Sequence, residues 1–127
     1  MEARNLQHIV EKYIEAYNRS DVDGMVAHLH ENVVFRNISN GEVNLTTVGK
    51  EQFRAQAEQA KHYFSEREQR VTDWQTVGSQ VEVLIDYHAV AAVEFPNGLK
   101  PGDALTMQGK SVFQFENGQI ISIEDIS

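Results

Sequence analysis

The sequence predicts an α+β fold, with helices in the first half and antiparallel strands in the second. Apolar residues at helical spacing open the chain, and near-alternating apolar residues fill its later half. Two tight-turn pairs, Gly78-Ser79 and Asn117-Gly118, mark hairpins there. Leu6, Ile9, Val10, Tyr13, Ile14 and Tyr17 recur on one helical face with Glu11, Lys12, Glu15 and Arg19 between them, so a first helix spans residues 3–19. Ser20-Asp-Val-Asp23 is close to a capping box and starts a short second helix over residues 21–30 that buries Met25, Val26 and Leu29. Val33, Val34 and Phe35 then turn the chain to strand. Asn40-Gly41 signals a turn, and residues 40–48 read as loop. Phe53, Ala57, Ala60 and Phe64 space a third helix over residues 50–63. Everything after is β: strands over 68–77, 80–95, 104–116 and 119–126, the 80–95 strand the longest.

Composition narrows the function classes. The 127 residues suit one domain, 1–127, with a single core. A net charge of -8 with no run of Lys or Arg argues against a nucleic-acid partner. With no cysteine there is no disulfide, thiolate metal site or Cys nucleophile, which suits the cytoplasm. The first residues lack the apolar run of a signal peptide, and no stretch approaches the roughly 20 apolar residues of a membrane span. Of the five histidines, His28 and His30 face different ways on the expected helix, and His8, His62 and His88 show no ligand spacing. No metal or cofactor is expected, since phosphate loops, nucleophile elbows and triad signatures are absent too.

Strand periodicity chooses the inner face. Along residues 80–95 the odd positions Val81, Val83, Ile85 and Tyr87 are apolar or aromatic, whereas Glu82, Asp86 and His88 alternate with them. The odd face should therefore point inward.

The segment Tyr13-Ile-Glu-Ala-Tyr17-Asn-Arg-Ser-Asp21-Val-Asp23-Gly24-Met-Val-Ala-His-Leu-His-Glu-Asn-Val-Val-Phe35-Arg-Asn37 resembles the opening of SnoaL-like and ketosteroid-isomerase-like proteins of the nuclear transport factor 2-like superfamily. The ending Val112-Phe-Gln-Phe-Glu-Asn-Gly118-Gln-Ile-Ile-Ser-Ile-Glu-Asp125 extends the likeness over most of the chain. The resemblance implies three N-terminal helices in the concave face of a strongly curved, mostly antiparallel sheet, a cone-like α+β barrel holding a pocket. It also implies a homodimer paired through the outer sheet surface. Laid along the family's pattern, Phe35, Asn37, Met107, Ser111, Phe113, Ile121, Ile123 and Asp125 face the pocket with Val83, Ile85 and Tyr87, while Tyr13, Tyr17 and Phe53 reach in from the helices.

The polar members of this set separate the family's chemistries. Similar steroid isomerases use a helix-1 Tyr, matched by Tyr13, and two Asp residues whose positions hold Asn37 and Ser111 here. An amide carries no proton between carbons, which argues against isomerisation by that route. Similar limonene-type epoxide hydrolases share Asn37 and Asp125, but Phe35, Ile85 and Tyr87 replace their Tyr, Arg and Asp. SnoaL-like cyclases depend on a pocket carboxylate, and Asp125 occupies such a position. The leading expectation is a cyclase-, isomerase- or hydrolase-type enzyme acting on a small hydrophobic molecule. Asp125 would be its acid or base, with Tyr13 and Asn37 holding an oxygen. The alternatives are a binding module for an apolar metabolite, or a protein-interaction domain.

Overall fold

In the computed structural model, which describes residues 3–127, three helices and six strands follow one another. They are α1 (Ala3–Asn18), α2 (Val22–Val26), β1 (Leu29–Ser39), β2 (Glu42–Val48), α3 (Lys50–Ala60), β3 (Phe64–Val77), β4 (Gln80–Ala91), β5 (Ala104–Glu116) and β6 (Gln119–Ile126). The strands form one sheet in the order β2-β1-β6-β5-β4-β3. Only β1 and β6 run parallel; the other neighbours are antiparallel. Among the described residues no helix is long and apolar enough to cross a membrane.

Helix α1 buries the face its spacing defined, with Leu6, Ile9, Val10, Tyr13 and Ile14 all in the core. Two contacts fasten it to the sheet. Gln7 donates to Thr76 Oγ1, and the Asn18 amide both donates to the Gln69 carbonyl at 3.0 Å and accepts from the Gln69 N–H at 2.8 Å. Asp21 caps α2 by accepting from the Gly24 N–H at 3.0 Å. Gly24 is where the first two helices touch: a Cβ there would lie 2.9 Å from Ala16 Cβ and 2.7 Å from Asp21 Oδ2.

The local structure differs from the sequence expectation in five places. Helix α2 ends at Val26, and Leu29, still fully buried, opens β1 instead, so His30 lies on a strand. Residues 42–48 form β2 rather than loop. The Asn40-Gly41 turn, with both residues at positive φ, makes a tight hairpin that pairs Ser39 with Glu42. Helix α3 stops at Ala60, and Phe64 starts β3, which at 14 residues exceeds β4 at 12. β4 ends at Ala91, short of Phe95, which instead stacks on Phe64 from the following loop. A register irregularity between Gln114 and Phe115 puts Ile120, not Ile121, in the core.

Similar irregularities in β1 between Asn37 and Ile38, and in β3 between Val71 and Asp73, bend the sheet around the helices. On β4 the odd positions Val81, Val83, Ile85 and Ala89 are buried. Glu82 and Asp86 form ion pairs with Lys110 and Arg70, and His88 is exposed, as the outer side of a period-two strand requires.

Candidate functional site

The parallel pairing of β1 with β6 assembles the polar part of the cavity. Asn37 sits opposite Asp125, Asp125 opposite Ser111, and Ser111 opposite Val83, so residues far apart in sequence share one row across the sheet. Two adjoining hollows open above this row, of about 280 Å³ and 180 Å³, sharing Tyr17, Asn37, Phe64 and Asp125 on their walls. Ile85, Tyr87, Met107 and Ser111 line the larger. Tyr13, Phe35 and Phe53 line the smaller, where the Phe35 and Phe53 rings meet edge to face at 5.7 Å.

Asp125 is the one acidic side chain among the described residues lining either hollow. Ser111 Oγ donates to its Oδ1 at 2.6 Å. Desolvation in this largely apolar wall pushes the carboxyl up to about 6, because losing water disfavours the charged form; the Ser111 bond opposes the shift only in part. Asn37 donates through Nδ2 to Asn44 Oδ1 at 2.9 Å, which fixes the amide plane next to Asp125. Tyr17 and Tyr87 share a hydrogen bond between their hydroxyls at 3.1 Å. Burial drives both phenols, and Tyr13 more completely, above their ordinary value, so all three stay protonated donors around neutral pH.

Three residues expected on the wall lie beneath it. Val83, Phe113 and Ile123 are almost wholly buried and line neither hollow. Period two turns them inward, but they belong to the core that α1 covers; Tyr13 packs edge-on against Phe113 at 5.4 Å. Facing the core and facing the cavity are different things on one strand.

The structure also brings in residues that sequence reasoning missed. Arg67 and Gln69 of β3, Phe64 at its start, and Leu45, Gln56 and Leu105 all line the hollows. The Arg67 guanidinium lies 4.1 Å over the Tyr17 ring, while its Nε and Nη2 are buried without a hydrogen-bond partner. The available signal was weak: Arg67 and Gln69 alternate with exposed Glu66, Glu68 and Arg70, so β3 is polar on both faces. Among the described residues no three His, Asp or Glu side chains gather as metal ligands would.

The sequence profile of the SnoaL-like domain matches residues 10–123. The chain belongs to the SnoaL-like family. Solved structures place this SnoaL-like chain in its fold class. A Xanthomonas campestris pv. campestris protein proposed to be a polyketide cyclase superposes with a TM-score of 0.84 at 21% identity, covering 98% of this chain and 90% of that one. A Burkholderia pseudomallei nuclear transport factor 2-like protein of unknown function gives 0.78 at 23%, with 98% and 90% covered. AclR of Streptomyces galilaeus, proposed to be a hydroxylase, gives 0.78 at 17%, with 98% and 89% covered. At such identities the likeness extends to the fold and leaves the chemistry to the site. A comparison with curated proteins returns no match.

Proposed function

We propose that this SnoaL-like protein is an enzyme that moves a proton on a small, largely apolar, carbonyl-bearing molecule, with Asp125 as the proton carrier. One observation carries the reading: a lone acidic side chain, its carboxyl pushed up to about 6, on the shared wall of two hollows where Ile85, Met107, Phe35 and aromatic rings stand beside a few polar groups such as Ser111, Gln69 and Lys110. A carboxyl with that value is divided between acid and base near neutral pH, where general acid–base catalysis works best. As base, Asp125 takes a proton from the carbon next to a carbonyl, and the electron pair moves onto the carbonyl oxygen. As acid, it returns the proton. Tyr17 and Tyr87, protonated and joined to each other, offer a hydroxyl donor to the developing oxyanion. Tyr13 offers another from the smaller hollow. Support for cyclase-type chemistry also comes from the relative proposed to be a polyketide cyclase, which shares the fold.

A binding-only role is the second reading, favoured by Asn37: its Nδ2 is already committed to Asn44, and no second acidic side chain lines either hollow among the described residues. The experiment that separates the two is deuterium incorporation into the apolar ketone tetralone in D₂O. The wild-type protein should accelerate exchange at the carbon beside the carbonyl, and Asp125→Asn should lose about two to four orders of magnitude in rate. Equal exchange by both proteins would leave binding as the better reading.

A further inference from the structure

We infer that Arg67 is an anion-binding residue, and that the ligand of this cavity is an apolar molecule carrying a carboxylate or a comparable delocalised oxyanion. The inference rests on reading the two hollows as the ligand site, but not on any proton transfer by Asp125. The two orphaned atoms, Nε and Nη2, form one edge of the guanidinium, with parallel N–H bonds spaced to meet both oxygens of a carboxylate. Protein groups do not fill that role. Among the described residues no acidic side chain lies in ion-pair range of Arg67, and the flanking Glu66 and Glu68 are exposed.

The guanidinium is also held in place for the task. Its face rests on the Tyr17 ring, and Tyr17 is in turn fixed by the Tyr87 hydroxyl. The Asn18 amide pins Gln69, two residues along β3, to the end of α1. Such a mount restricts the side-chain freedom that a flexible Arg would lose on binding. Arg67 and Asp125 line the same hollow without pairing, so a ligand between them would place its anionic end at Arg67 and its apolar body along Phe35, Phe53 and Ala57.

The test compares naphthylacetate with its uncharged isostere naphthylacetamide by isothermal titration calorimetry at pH 8. The carboxylate should bind the wild-type protein about tenfold to a hundredfold more tightly than the amide, as a charge-assisted bidentate contact implies. Arg67→Gln should erase that preference by weakening carboxylate binding far more than amide binding, and Arg67→Lys should keep part of it. A thermal melt of each variant checks folding, and the Arg67 Nε–H resonance, followed by NMR in wild-type protein, gives a readout that needs no variant: it should shift with the carboxylate and not with the amide. Equal binding of the two probes, no binding of either, or a preference that survives Arg67→Gln would overturn the assignment. Repeating the titration in Asp125→Asn separates the two proposals. A carboxylate preference that persists there supports Arg67 whatever Asp125 does, whereas exchange activity in the wild type without any charge preference sinks Arg67 alone.

Discussion

A carboxyl that shares one hydrogen bond with Ser111 and otherwise meets apolar wall is costly to ionise, and that cost has a sign. The folded protein holds the Asp125 proton more tightly than the unfolded chain, whose Asp titrates near about 3.9. The associated stability is therefore complete below that value and disappears as pH rises through about 6. Asp125→Asn keeps the shape and an acceptor for Ser111 but never charges. At pH 8 it should be more stable than wild type by about 1–3 kcal/mol, and the gap should close below pH 4. Urea midpoints measured at both pH values check this; a gap independent of pH would mean the carboxyl is in water. Tyr17→Phe breaks the hydroxyl pair but retains the ring under Arg67, so exchange activity should fall less than in Asp125→Asn, by about tenfold to a hundredfold, read from the same deuterium assay. Asp125 was legible because the family resemblance turns it, and not the neighbouring Glu124, toward the inner face, where it is the one carboxylate expected. Arg67 was not, because a charged residue between Glu66 and Glu68 looks the same whether it faces water or a cavity.

At the scale of elements, all three helices were readable in place because their apolar faces are continuous. Their ends were not, since Leu29 and Phe64 fit a helical repeat as well as a strand and only pairing decides. β2 stayed hidden because Glu42–Val48 is exposed over most of its length, and its alternation of Val43 and Leu45 with Glu42 and Asn44 is only two repeats long. Two predictions belong here. Asn18→Ala removes the two hydrogen bonds between the Asn18 amide and the Gln69 backbone, leaves that backbone unsatisfied, and should cost about 1–3 kcal/mol of stability. Gly24→Ala drives a methyl group against Ala16 and the capping carboxylate, and should cost a similar amount, about 1–3 kcal/mol, through forced separation of α1 and α2. Denaturant midpoints measure both; unchanged midpoints would show that these joints bear no load.

At the scale of the whole molecule, the cavity exists because a single sheet bends around α1 and because β6 returns to lie parallel beside β1. That closing pair brings Asn37 and Asp125 together, and no local sequence pattern contains it. The resemblance to SnoaL-like proteins supplied it, which is why the inner face could be listed before the coordinates while the split between core and cavity, separating Val83, Phe113 and Ile123 from Ile85, Ser111 and Asp125, could not. Depth beneath α1 makes that division, and depth is a property of the assembled cone. The account stands on one claim, that this cone holds an ionisable carboxyl out of water. Following the Asp125 side-chain carboxyl carbon by NMR from pH 3 to 9 tests it directly. The account predicts a midpoint near 6; a midpoint near that of a free Asp, about 3.9, would contradict it.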